Sequence, residues 1–162
     1  MSEPFSAGEK NGVIQAGEIL LLITSKSAFQ QEVESLGLGT IMKKESGEPY
    51  LSESACYLSI THKGDLCMAA VSLAPVGVDT EDVTVPRNVE RLSRLFSESE
   101  IPADLYAFYR IWTAKEAVGK RRGTGVTQDL LKEKTEGVRY VEYGNYLIAV
   151  AGEGEIRVRE RI

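Results

Sequence analysis

The sequence is short of the residues that most often mark chemistry. Its 162 residues include two cysteines, Cys56 and Cys67, one histidine, His62, and one tryptophan, Trp112. Two cysteines do not make a disulfide framework, and their spacing matches no metal motif. Both read as small buried hydrophobes in a reducing cytoplasm. No apolar run approaches the roughly 18 residues of a membrane span, and Ile19 to Ile23 is only strand-sized. The opening MSEPFSAGEKNG has neither a basic start nor an apolar signal core, so residues 1–12 read as a loose leader and secretion is not expected. Positive charge is scarce as well. Net charge is −5, which argues against general nucleic-acid affinity, and the first 55 residues hold four bases, Lys10, Lys26, Lys43 and Lys44.

What remains is the composition of a globular protein, 43% hydrophobic and 27% charged, in a length that suits one domain. Gly17 to Ser25 reads as a strand. Ser25 or Ser27 can cap a helix through AFQQEVESLGL, which Gly37 and Gly39 end. After a polar stretch containing GEPY, YLSITHKGDLCMAAV reads as a β-hairpin turning at Lys63-Gly64-Asp65. VGVDTED is a further short strand, Pro86 can open a helix through RNVERLSRLF, and a longer helix is expected from about Ala103 to Arg121, stopped by Gly123 and Gly125. The remainder, from GVRYVEYGNYLIAVA onward, is a second hairpin-like segment that ends in a strand. The two hairpins share a tyrosine-containing strand, a Gly-Asp or Gly-Asn turn and an apolar return, so either duplication or convergence accounts for them.

Charge is distributed against the overall balance. Between Tyr106 and Arg122 stand Arg110, Lys115, Lys120, Arg121 and Arg122 with a single acid, Glu116, a local +4. Such a patch suits a phosphorylated small molecule or an acidic protein surface. Trp112, Glu116 and Lys120 stack at helical spacings of four, which gives either an ordinary surface pair or a cleft-facing one. On the preceding strand Asp79 and Glu81 share a face, about 7 Å apart. Two like charges that close need a cation, a base or solvent between them, and a hard cation such as Mg²⁺ prefers a few such oxygens with water and substrate phosphate. Glu116 is the candidate third ligand. His62, beside Thr61 and Lys63 at a turn, is either a hydrogen-bonded structural residue or a phosphate contact.

The order of these segments resembles the 4′-phosphopantetheinyl transferases. YLSITHKGD is similar to that family's Ser-His segment and VGVDTED to its G-x-D-x-E strand. FSESE followed by WTAKEAVGK is similar to its W-x-x-KE-x-x-x-K helix. Gly47-Glu48-Pro49 stands where longer members carry a base, and Thr80 where an aliphatic residue is usual. The resemblance implies an α+β fold, a single domain over residues 1–162, built of two similar αβ halves, about 13–76 and 77–162, with antiparallel sheets packed on helices. It implies transfer of the 4′-phosphopantetheine arm of coenzyme A to a serine of an apo acyl or peptidyl carrier protein, releasing adenosine 3′,5′-bisphosphate. Asp79, Glu81 and Glu116 would hold Mg²⁺, Lys120 would assist the leaving phosphate, Glu100 would help deprotonate the serine, and Thr61 with His62 would contact nucleotide phosphates. A relative that binds carrier or nucleotide without catalysis, and another Mg²⁺-dependent phosphoryl enzyme, are the competing readings.

Overall fold

A computed structural model of the protein describes residues 14–162; the leader expected at residues 1–12 lies outside them. The chain divides into two compact units. One ends at Val76 and also takes in Glu153–Ile162, and the other is Gly77–Gly152. No described helix is long and apolar enough to cross a membrane.

The first unit is built around β1 (Glu18–Ser25), whose run Ile19 to Ile23 is fully buried. The reason for this continuous apolar run is position: β1 is an interior strand of a four-stranded sheet in the order β4-β5-β1-β9. It pairs antiparallel with β5 (Leu66–Ser72), which returns from β4 (Tyr57–Lys63) through Gly64 at φ 55°. A short helix, α1 (Phe29–Ser35), and the hairpin β2 (Thr40–Lys43) and β3 (Pro49–Ser52) complete this unit. Leu20, Leu22, Val33, Leu51 and Val71 meet in its core. The hairpin occupies the polar stretch for which the sequence predicts no element. Its pairs, such as Met42 with Tyr50, are half-solvated, so the alternation that signals a buried strand face is missing there.

The last strand, β9 (Glu155–Arg161), runs parallel to β1, with Ile19 opposite Ile156. The first sheet is therefore mixed rather than antiparallel, and the stretch expected as the second half gives up its final strand to this sheet. The Glu155 amide bonds the Gly17 carbonyl at 2.8 Å as the strand joins. A side chain at Gly154 would meet that same carbonyl oxygen at 2.6 Å, and the residue sits at φ 110°.

The second unit holds a three-stranded sheet, β6-β8-β7, of β6 (Gly77–Asp82), β7 (Val138–Tyr143) and β8 (Tyr146–Ala151). Its helices are α2 (Val89–Ser93), α3 (Leu105–Arg122) and α4 (Gln128–Lys132). Helix α2 is shorter than expected because Asn88, not Pro86, starts it, its side chain accepting from the Arg91 amide. Asp104 caps α3 by accepting from the Ala107 amide at 2.8 Å, and Gly123 closes it in the left-handed region at φ 74°. Phe96, Phe108, Tyr109 and Leu147 form one core cluster. A second cluster is nearly all alanine: Ala117 of α3 against Ala149 and Ala151 of β8.

Those small residues let α3 lie close to the sheet. At Gly77 the approach is closest, since a β-carbon there would fall 1.9 Å from the Ala117 carbonyl oxygen and 2.6 Å from the Arg121 amide nitrogen. Neither obstacle is a flexible side chain. Gly77→Ala accordingly forces β6 off the helix and lowers unfolding free energy by about 2 kcal/mol or more. Denaturant titration checks this; a change under about 0.5 kcal/mol would show that the strand and helix can separate freely.

Candidate active site

Strand β6 carries the first two candidate ligands. Asp79 lies opposite Ala149 and Glu81 opposite Leu147, two residues apart and so on one face of the strand. Thr80 between them points the other way, fully buried, and its hydroxyl donates to the Leu147 carbonyl at 3.1 Å. The hydroxyl in place of an aliphatic group is thus satisfied within the sheet.

Helix α3 carries the other two. Its close approach at Gly77 brings Lys120 to the strand, where Nζ donates to the Val78 carbonyl at 3.0 Å and reaches Asp79 Oδ1 at 3.5 Å. Glu116, one turn earlier, and Glu81 line a cavity of about 270 Å³, whose wall also includes Arg87, Leu92, Leu95 and Trp112. Burial pushes the Asp79 carboxyl up to about 7. The Lys120 ammonium opposes that rise, while the charges of Glu116 and Glu81 add to it. Lys120, Glu116 and Glu81, which the sequence brings forward, therefore all act electrostatically on Asp79.

Among the described residues no three carboxylate, histidine or cysteine side chains close on one point tightly enough to hold a metal by themselves. The donor chemistry nonetheless fits Mg²⁺, which is seldom caged by protein alone and completes its shell with water and phosphate oxygens. A cation placed among Asp79, Glu81 and Glu116 would relieve the mutual repulsion that raises Asp79.

Glu100 has a different setting. Its Oε1 accepts from Lys115 Nζ at 2.7 Å and its Oε2 from the Thr135 amide at 3.2 Å. Lys115 is completely buried, and its ammonium also donates to the carbonyls of Leu130 and Glu133 and to the Thr135 hydroxyl, with the Phe96 ring 5.5 Å away. Read from sequence as part of an outward basic patch, Lys115 is an internal tether between α3, α4 and the segments flanking them. Arg122 is engaged too, in a bidentate pair with Glu133 at 2.7 and 2.9 Å. Arg110 lies over the Tyr140 ring at 4.2 Å.

Thr61 and His62 belong to β4 of the first unit. Adjacent strand residues face opposite sides, and here Thr61 is buried while His62 is exposed, opposite Cys67 across the hairpin. Their side chains do not converge, and His62 is the one open to a dissolved ligand. Both cysteines are free and buried as expected, and burial holds the Cys56 thiol above its usual range. Glu48 sits on the exposed β2–β3 turn, 3.3 Å from Lys44.

Residues 75–146, which include every site residue of the second unit named above, match the model of the 4′-phosphopantetheinyl transferase superfamily. The chain is a relative of the 4′-phosphopantetheinyl transferases. A 4′-phosphopantetheinyl transferase of Bacillus subtilis is 25% identical over 163 residues, covering 80% of this chain and 70% of its own length. The 4′-phosphopantetheinyl transferase Sfp of Bacillus subtilis (strain 168) is 27% identical over 124 residues, and psf-1 of Bacillus pumilus 28% over 123. The alignments with these two cover 70% of this chain and about half of each relative, 53% and 51%. The match to the phosphopantetheinyl transferases is thus weighted toward the unit that holds the carboxylates.

The residue missed by sequence reasoning is Arg87. It follows Pro86 in what reads as the start of a helix, and only the fold turns it toward the cavity of Glu81 and Glu116.

Asp79 gives the site a measurable pH dependence. Its carboxyl is harder to ionise in the folded chain, at about 7, than at its ordinary value of 3.8. Its contribution to stability is therefore full below about pH 4 and is lost as pH rises through 7. In chelator, Asp79→Asn gains stability relative to the unsubstituted chain between pH 4 and pH 8, by a few kcal/mol at about 1.4 kcal/mol per pKa unit. Equal differences at both pH values, measured by urea titration, contradict the raised pKa.

Proposed function

We propose that the protein transfers the 4′-phosphopantetheine group of coenzyme A to a serine hydroxyl of an apo acyl or peptidyl carrier protein, with Mg²⁺, and releases adenosine 3′,5′-bisphosphate. The observation that carries this reading is the placement of Lys120 Nζ 3.5 Å from Asp79 Oδ1, with Glu81 and Glu116 lining one cavity, all from one strand and one helix within the segment that matches the superfamily. Asp79, Glu81 and Glu116 would hold the Mg²⁺, which when bound supplies charge neutralisation on a pyrophosphate.

The reaction forms a bond from the serine oxygen to the phosphorus that bears pantetheine and breaks the bond to the nucleotide's phosphate oxygen. Charge grows on that leaving oxygen. Lys120, a third exposed and held by the Val78 carbonyl, supplies a fixed cation and a proton for it. The serine proton needs an acceptor. Glu116 faces the cavity, whereas Glu100 can take this role only by exchanging its bonds to Lys115 and the Thr135 amide. His62, exposed on β4, keeps the phosphate-contact role that the resemblance gives it. Similar strand orders, β4-β5-β1 and β7-β8-β6, support reading the two units as related halves.

Incubation with coenzyme A, Mg²⁺ and apo carrier protein should raise the carrier's mass by one phosphopantetheine group. Glu116→Gln, half-buried and isosteric, should slow transfer by about 100-fold or more with the fold retained. Transfer near the unsubstituted rate would remove Glu116 from the site. Carrier binding without transfer would instead favour the non-catalytic reading.

Glu100→Gln separates the two roles open to that residue, because the amide still accepts from Lys115. A base role predicts a fall in kcat of about 100-fold or more at nearly unchanged melting temperature. A tethering role predicts a lower melting temperature with kcat close to normal.

A further inference from the structure

Arg87 has no part in the assignments above, yet it is built into the same cavity. Its Nε donates to the Tyr109 phenol oxygen at 3.4 Å. Tyr109 is fully buried, and its own hydroxyl donates to the Val85 carbonyl at 2.5 Å, so the phenol is fixed at both ends. The base of the guanidinium is thereby held against an immobile oxygen. Among the described residues, Arg87 has no other hydrogen bond and no ion pair, although Glu81 and Glu116 line the same cavity. An arginine beside two acids ordinarily closes a salt bridge with one of them. Here the guanidinium bonds the tyrosine instead, while Glu81 acts on it through its field.

Charge gives that arrangement a purpose. Two carboxylates and one guanidinium leave the cavity lining one charge negative. A divalent cation on the carboxylates reverses the balance to one charge positive, and the cavity then attracts an anion. The planar fork of a guanidinium matches two oxygens of a phosphate, and its charge does not depend on pH near neutrality. We propose that Arg87 is a phosphate-binding residue of this site, a second fixed cation besides Lys120, oriented by Tyr109 to grip the pyrophosphate of the co-substrate once the metal is in place. This rests on the metal and phosphate reading of Asp79, Glu81 and Glu116.

The full chain is titrated calorimetrically with inorganic pyrophosphate, with and without Mg²⁺. Mg²⁺-dependent binding is expected, weakened about tenfold in Arg87→Ala, and less in Arg87→Lys, which keeps the charge without the fork. Tyr109→Phe, which leaves Arg87 in place but removes its brace, should weaken binding about threefold through lost orientation. Arg87 is exposed, so its replacement should leave the melting temperature unchanged, which separates lost binding from lost fold. If Arg87→Ala binds pyrophosphate like the unsubstituted chain while Glu116→Gln does not, the role of Arg87 falls and the metal reading stands. If the unsubstituted chain shows no Mg²⁺-dependent binding, both fall. In transfer kinetics Arg87→Ala should raise KM for the phosphate donor; a rise in KM for the carrier alone would place Arg87 at the protein partner and overturn the proposal.

Discussion

The close approach of helix α3 to strand β6 is the constraint on which the candidate site depends. It exists because Gly77 has no side chain: any β-carbon there would overlap the backbone of Ala117 and Arg121. Ala117, Ala149 and Ala151 extend the same small-residue seam along β8. With backbone against backbone, the side chain one turn beyond the contact, Lys120, reaches the strand's own carbonyl at Val78 and the carboxylate at Asp79. The spacing of acids on β6 and on α3 becomes a cluster only through that seam. A larger residue in it would leave the acids as separate surface groups.

A second tether fixes the helix from its other side. Lys115 precedes Glu116 in the chain and points into the protein, where four oxygens surround its ammonium. Burying a charge is tolerable only with such complete satisfaction. Because consecutive helical residues lie about 100° apart, a lysine anchored inward at one position limits where the next can point. Lys115 and Gly77 together set the rotation of α3, and with it the side on which Glu116 emerges. The adjacent lysine and glutamate of the motif thus have separate tasks, one in the interior and one facing the cavity.

Sequence patterning made some of this legible and hid the rest for definable reasons. Period-two placement of Asp79 and Glu81, and the four-residue stacking of Trp112, Glu116 and Lys120, depend on local geometry alone, so they can be read from the chain directly. The end of α3 was equally readable, from Gly123, whereas the cap at Asp104 came only from the structure. Burial of Lys115 could not be read, because it depends on Glu100, Leu130, Glu133 and Thr135, which lie 15 to 20 residues from it in sequence. The parallel pairing of β9 with β1 is a contact across most of the chain, invisible to any local window. The β2–β3 hairpin escaped because half-solvated strands lack a hydrophobic period.

The basic helix of an acidic protein also takes on a different meaning. Counted along the chain, five bases surround one acid; in the fold, Lys115 is enclosed, Arg122 is locked to Glu133, Arg110 lies over Tyr140, and Lys120 reaches toward Asp79. Much of the apparent surplus is spent on local pairs, so the helix is a weaker general attractant for anions than its composition suggests. Arg87 belongs to no such cluster in sequence, yet in the fold its guanidinium is held by the Tyr109 hydroxyl beside Glu81 and Glu116. Which cations are available to a ligand is decided by what occupies their hydrogen bonds, and that is a property of the fold rather than of local charge density.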